Sequence, residues 1–162
     1  MSATFGPGTA KTLIPHRYPI LLVDRVLEVT AGHGISTVKA VTCNEPWYQD
    51  VPEDAEDGAY AYPTALLIES WCQSAALLAA HGDQGGAGEG EVVLFGGMSK
   101  VTVHGQAYPG DLVRHDVKLV QQTAGATFFE GTASVGGEPI LTVGQAVTLV
   151  KPAAALQATG AS

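Results

Sequence analysis

The sequence has few cysteines and few basic residues, and it has no long apolar run. Its two cysteines, Cys43 and Cys72, form no CxxC or Cys/His pair at metal-ligand spacing, so we expect both to be reduced and structural. The chain has eight Lys and Arg residues, scattered singly, and sixteen Asp and Glu residues, which gives a formal net charge of −8. This balance excludes a basic stripe for nucleic acid and any attraction to anionic membranes. No signal peptide or membrane span is recognisable, which predicts a cytoplasmic protein.

The remaining composition is that of a folded domain. The chain has 162 residues, 46% of them hydrophobic, which suits one domain with a substantial core. We expect residues 1–12 to be an N-terminal extension, loose over 1–8 and with a short helical turn at 9–14. Residues 13–150 then form the domain, and the Ala-rich residues 151–162 form a flexible tail.

One stretch predicts a long buried helix from Pro63 to Ala80. Proline suits the first turn, and the residues after it are mostly strong helix formers with apolar side chains almost all the way round. Such a helix has to be enclosed by other structure. The glycine-rich residues 82–90 end it and are expected to be a linker.

Four polar residues form a single stripe on this apolar helix: Glu69, Ser70, Gln73 and Ser74. Two interpretations of the expected buried carboxylate of Glu69 remain open. In the first, the stripe touches solvent or a partner chain and Glu69 only makes hydrogen bonds. In the second, Glu69 lies in a dry cleft, where desolvation would raise its pKa and suit it to acid/base work.

The strand signals predict an antiparallel sheet around this helix. Residues 20–30 and 35–41 are expected to form a hairpin, and residues 42–61 a long surface loop. Four further strands are predicted as a meander, at residues 92–103, 111–121, 127–135 and 140–150. The fold class is therefore α+β, with the sheet wrapped around one long central helix. Pairing two such sheets in a dimer would cover their free edges.

Several segments resemble the 3-hydroxyacyl-[acyl-carrier-protein] dehydratases of the FabZ type. Leu13–Val26 is similar to the opening signature of that family, and Pro63–Gln73 to its helix motif. Shorter matches are Asn44–Gln49, Phe95–Lys100 and Tyr108–Asp111. The resemblance covers roughly residues 13–150. It implies the hotdog fold in a double-hotdog dimer, no cofactor, and a substrate carried on the phosphopantetheine arm of an acyl carrier protein.

The resemblance also implies a site shared between two subunits. A histidine from one subunit and the helix carboxylate from the other act on the substrate, so Glu69 is the expected acid and Gln73 its support. Expected substrate contacts are Tyr62, Thr64, Ala65, Phe95 and Gly97. His16 belongs to the opening signature but is not the family's catalytic base. It is a secondary candidate, whose simpler interpretation is a structural role before the first strand.

Three departures from the family pattern concern catalysis and docking. Val51 stands where the family has its catalytic histidine, and Thr64 replaces the glycine whose N–H the thioester approaches. The basic run that helps the family to grip its acidic carrier is replaced by Val101–Ala107, so that only Lys100 keeps its charge. An acidic homodimer would repel an acidic carrier protein.

These departures leave hypotheses of different classes. The first is a composite dehydratase in fatty acid or polyketide biosynthesis, in which a related hotdog subunit brings the histidine and this chain brings Glu69. Such a pair resembles the paired dehydratases of some polyene and polyketide pathways. The second is a non-catalytic subunit, as a homodimer or heterodimer, that binds acyl groups or stabilises its partner. A hotdog thioesterase is a weaker third hypothesis, because the opening signature favours the dehydratase branch.

Overall fold

A computed structural model describes residues 2–81, 90–152 and 154. Two helices, α1 and α2, and seven strands, β1 to β7, lie within these residues. Their bounds in chain order are β1 Ala3–Phe5, α1 Pro7–Leu13, β2 Arg25–Thr30, β3 Gly34–Ala40, α2 Thr64–His81, β4 Glu91–Val103, β5 Leu112–Gln122, β6 Ala126–Val135 and β7 Glu138–Pro152. Neither helix is long and apolar enough to cross a membrane.

The strands form one antiparallel sheet in the order β1-β2-β3-β5-β6-β7-β4. The predicted hairpin is confirmed, and the strand ends lie within two residues of the predicted ones except at the start of β2. The predicted four-strand meander is wrong in its first strand, because only β5, β6 and β7 are consecutive neighbours and β4 pairs with β7. The turn between β6 and β7 uses Gly136 and Gly137, whose φ angles of 59° and 90° are easily adopted only by glycine. The chain therefore crosses from β4, at one edge of the sheet, to β5 beside β3 in the middle, because β5 takes the place next to the hairpin.

Helix α2 packs on the sheet, mainly against β3 and β5. The predicted helix of residues 63–80 is confirmed within one residue at each end. Its buried side chains include Leu67, Trp71, Leu77 and Leu78, which join the core formed by inward-facing strand residues such as Phe129. The opposite face of α2 is only half-buried at Ile68, Cys72 and Ala76. In a single chain the helix is therefore covered on the sheet side and open on the other.

The expectation that residues 1–8 are loose is wrong. β1 pairs with β2, with Ala3 opposite Val29 and Phe5 opposite Val26. Ala10 in α1 is also almost fully buried. A three-residue strand is too short to show a hydrophobic period in the sequence, so its pairing was not visible there.

The predicted tail begins two residues too early. Lys151 and Pro152 belong to β7 and lie opposite Val92 and Glu91 of β4. Of the remaining tail only residue 154 is described, and the linker predicted at residues 82–90 falls outside the described residues except for Gly90.

The first long strand also begins later than predicted, at Arg25 instead of Ile20. Residues 20–23 are apolar and β-branched enough for a strand, but the backbone groups of Ile20 and Leu22 bond to side chains of α2. The local preference for a strand is overridden by contacts with a helix some fifty residues further along the chain.

Candidate active site

The polar stripe of α2 holds the segment that precedes β2. The side-chain oxygen of Gln73 accepts a hydrogen bond from the backbone N–H of Leu22 at 2.8 Å, and its amide nitrogen donates to the carbonyl of Ile20 at 2.7 Å. Ser70 Oγ donates to the carbonyl of Leu22 at 2.8 Å. These bonds satisfy backbone groups that have no strand partner, so much of the stripe serves the fold.

Ser70 also contacts a fully buried histidine that the sequence analysis missed. His115 Nε2 lies 2.7 Å from Ser70 Oγ. Because the single hydroxyl proton of Ser70 goes to the Leu22 carbonyl, Nε2 of His115 is the donor. Burial lowers the pKa of His115 to about 3, against an opposing effect of Asp116, so the ring is neutral. The alternation of inward-facing and outward-facing residues along β5 is the signal that locates it. Val113 and Val117, two residues to either side of His115, also face inward.

Glu69 lies at the open face of α2, next to His16. Glu69 Oε1 is 2.9 Å from Gln73 Nε2 and 3.2 Å from His16 Nε2. The expectation of a buried carboxylate is wrong for the single chain, because the side chains of Glu69 and His16 are 36% and 29% exposed. The structure thus brings together three predicted site residues, the acid, its supporting amide and the secondary candidate.

The other titratable group beside Glu69 is Cys72, one turn further along α2. Burial raises the pKa of this thiol to about 12, and the nearby carboxylate of Glu69 adds to the effect. Cys72 therefore remains a thiol at neutral pH and is not a nucleophile. Neither described cysteine forms a disulfide.

Val51 lies in the loop that follows β3. This loop is fixed by Glu45, whose carboxylate accepts from Lys39 Nζ and from the backbone N–H of Thr42, both at 3.0 Å. The backbone N–H of Val51 donates to the carbonyl of Tyr48 at 3.1 Å. The aliphatic side chain of Val51 has no group that can transfer a proton.

The start of α2 presents two free backbone donors. Tyr62 is buried and its N–H donates to the Ala107 carbonyl at 2.7 Å, while Thr64 and Ala65 are exposed. Within the described part of the chain, the N–H groups of Thr64 and Ala65 have no partner. A helix N-terminus with free N–H groups favours a negatively charged oxygen.

The two remaining predicted substrate contacts lie on an edge strand of the sheet, which is not among the strands packed mainly against α2. Phe95 and Gly97 belong to β4, the edge strand that pairs with β7, whereas α2 packs mainly on β3 and β5. Phe95 is 56% exposed, and Gly97 has a φ angle of 145° at the bulge in this strand. Within one chain the structure does not bring these two residues to Glu69.

Residues 14–144 match the model of the FabA-like domain family. The chain belongs to this family. It is 35% identical to the 3-hydroxyacyl-[acyl-carrier-protein] dehydratase FabZ of Yersinia enterocolitica serotype O:8 / biotype 1B (strain NCTC 13174 / 8081). The aligned 144 residues cover 89% of this chain and 83% of that protein. The sequence of this FabA-like chain is thus similar to that of a FabZ dehydratase, with valine at the position where the resemblance predicts the catalytic histidine.

Solved structures agree on the fold of this FabA-like chain. A chain of the dehydratase heterocomplex ApeI:P from Xenorhabdus doucetiae superposes with a TM-score of 0.71 at 16% identity, covering 94% of this chain and 97% of that one. A hot-dog-like protein from Thermanaerovibrio acidaminovorans gives 0.59 at 19% identity, covering 81% and 90%. At these identities the likeness concerns the fold, and the predicted hotdog fold is confirmed.

Proposed function

We propose that this chain is a subunit of a dehydratase for 3-hydroxyacyl thioesters carried on an acyl carrier protein. It contributes Glu69 to a composite site, and a related hotdog subunit contributes the histidine. One observation carries the proposal: Glu69 is held in place by Gln73 and His16 at the open face of α2, although Val51 cannot serve as the base. A fixed carboxylate in a chain without its own base fits a site completed by another chain.

The reaction assigns one proton transfer to each subunit. The partner's histidine removes a proton from the carbon α to the thioester, and the C–O bond at the β-carbon breaks as the C=C bond forms. Glu69 protonates the departing hydroxyl, which leaves as water. The backbone N–H groups at the start of α2 are available to the thioester oxygen, on which negative charge develops.

The surface of the chain supports pairing with a second hotdog subunit. β4 forms one edge of the sheet and exposes apolar side chains along its length, namely Val93, Phe95, Val101 and Val103. An exposed apolar edge strand invites pairing with another strand. Such pairing would also cover the half-buried face of α2. It would carry Phe95 and Gly97 of each chain towards the site of the other.

The charge of the chain supports a partner that differs from it. An acyl carrier protein is acidic, and a homodimer of a chain with formal charge −8 would repel it. A more basic partner would restore docking and bring the histidine at the same time. The similar chain from Xenorhabdus doucetiae belongs to a dehydratase heterocomplex, which is in keeping with such a pair.

A non-catalytic acyl-binding or stabilising subunit is the second candidate, and Val51 is the observation that favours it. In that case Glu69 would only hold His16 and Gln73 in place. The two candidates differ in what happens when Glu69 is changed in an active complex.

The first test compares the purified chain with its complex. The chain would be co-expressed with hotdog subunits encoded near its own gene, and each preparation assayed with a 3-hydroxyacyl pantetheine thioester. We expect turnover by the complex and at least about 100-fold less by the isolated chain, the size of effect typical for loss of a general base. Equal turnover by the isolated chain would contradict the composite site.

A further inference from the structure

His16 contacts Glu69 but takes no part in the reaction as proposed above. We propose that His16 is a positioning residue, which holds Glu69 Oε1 so that the acidic proton is carried by Oε2. This inference rests on the proposed function of Glu69 as the acid. It assigns a role to the histidine of the opening signature that is separate from proton abstraction.

The two oxygens of the Glu69 carboxyl group differ in their neighbours. Each oxygen of a carboxyl group has about two lone-pair sites. Oε1 of Glu69 accepts a hydrogen bond from Gln73 Nε2 at 2.9 Å and contacts His16 Nε2 at 3.2 Å, so both neighbours lie on the Oε1 side of the carboxyl group. Among the described residues Oε2 has no hydrogen-bond partner. A proton bound by Glu69 therefore belongs on Oε2, the oxygen left free for a substrate.

The position of His16 suits contact with Glu69 better than a role as base. Nε2 is the ring nitrogen that faces Glu69, and the other, Nδ1, is buried without a partner among the described residues. A nitrogen buried inside the chain cannot reach a substrate at the open face. The ring is therefore placed to contact Oε1 of Glu69 and not a substrate.

The backbone around His16 is fixed by its neighbour. The guanidinium of Arg17 donates to the carbonyls of Lys11, Ile14 and His16 at 2.8–2.9 Å. Two of these carbonyls lie at the C-terminal end of α1, which leaves such groups unpaired and favours a cation. Arg17 thus ties the loop that carries His16 to α1 and holds the imidazole against α2.

Removing the His16 side chain takes away the 3.2 Å contact and leaves Oε1 with its hydrogen bond to Gln73 alone. Gln73 remains in place because Leu22 and Ile20 hold its amide. The carboxyl group then gains rotational freedom, and the proton is shared between both oxygens. Misplacement of a reacting group by about 1 Å can cost about 100-fold in rate, so we expect a loss of roughly 10- to 100-fold in kcat with KM changed less than about twofold.

The kinetic test uses two substitutions of His16 in the complex with the histidine-bearing partner and a 3-hydroxyacyl pantetheine thioester. His16→Leu removes the polar contact with Glu69, and His16→Gln keeps a polar group whose N–H can reach Oε1. We expect the leucine variant to show the loss in kcat and the glutamine variant to recover to within about threefold of the wild type. His33→Leu, in the β2–β3 turn, is the matched control and should leave turnover unchanged. Full kcat in His16→Leu, or no recovery in His16→Gln, would overturn the proposal.

A second measurement does not depend on turnover. Crystal structures of the wild-type chain and of His16→Leu should show Glu69 ordered in the first and rotated or disordered in the second. A carboxyl group in the same place in both would overturn the positioning role even if no activity were found. Conversely, full activity of Glu69→Gln would reject the proposed function of the acid, whatever the position of Glu69 in these crystals.

Discussion

The side-chain oxygen of Gln73 on α2 accepts a hydrogen bond from the backbone N–H of Leu22 at 2.8 Å, and the two residues are 51 positions apart in the chain. The same amide donates to Ile20 and to Glu69. One side chain therefore joins the segment that carries His16 to the helix that carries the candidate acid. The fold and the candidate site share this contact, so a change at Gln73 is expected to affect both.

Replacement of Gln73 by leucine should destabilise the chain. Gln73→Leu keeps the volume but leaves the buried N–H of Leu22 and the part-buried carbonyl of Ile20 without partners. Unpaired groups of this kind cost about 1–3 kcal/mol each, so we expect the free energy of unfolding to fall by roughly 3 kcal/mol in urea titrations. Gln49→Leu changes an exposed side chain and is the control, expected to stay within about 0.5 kcal/mol. Equal stability of the two variants would show that Gln73 does not anchor this segment.

A methyl group at Gly131 should not fit between β6 and β5. A Cβ atom at this position would lie 2.0 Å from the backbone oxygen of Asp116, and backbone cannot move aside as a side chain can. We expect Gly131→Ala to lower the free energy of unfolding by about 3 kcal/mol or more. Gly125→Ala, where no atom lies within 4 Å, should change it by less than about 0.5 kcal/mol. A thermal melt of both variants checks this, and similar midpoints would contradict the observed register of β5 and β6.

The elements that the sequence predicted correctly are those with a regular period. Helix α2 is long and apolar, and the strands of the meander are separated by glycine-containing turns, so both follow from local patterns. The start of β2 was predicted wrongly because the hydrogen bonds of Ile20 and Leu22 go to a helix that no local pattern identifies as their partner.

In the candidate site, too, the features with a local sequence pattern were predicted and those that depend on distant contacts were not. Glu69 and Gln73 stood out as polar residues on an apolar helix, but their contact with His16 depends on the path of the chain between α1 and β2. His115 was missed because a histidine within a strand is recognised as buried only from the residues two positions before and after it, which lie on the same face of the strand. The predicted burial of Glu69 was wrong because one face of α2 is left half-covered in a single chain.

Acidification should unfold the chain partly through His115. Burial lowers the pKa of this ring from 6.5 to about 3, so between these values the unfolded chain binds a proton that the folded chain does not. The stability from neutral His115 is fully present above pH 6.5 and is lost progressively as the pH falls towards 3. From pH 7 to pH 5.5 the expected loss from this residue is on the order of 1 kcal/mol.

Urea unfolding of the wild type and of His115→Gln at both pH values measures this loss. The glutamine keeps a donor for Ser70 but does not titrate, and all other titrating groups are common to both proteins. The wild type should therefore lose more stability than the variant on acidification. The same loss in both would mean that His115 is not neutral and buried as the structure has it.

The composite site is tested most directly by exchanging one carboxylate at a time in the same purified complex. Glu69→Gln keeps the shape of the side chain but removes its proton, and it should lower turnover of a 3-hydroxyacyl pantetheine thioester by about 100- to 10,000-fold while the complex still elutes as a dimer. The equivalent change in the partner's helix carboxylate should have little effect, because that carboxylate would face Val51. Full turnover after Glu69→Gln, or loss of turnover only after the partner's change, would contradict the account.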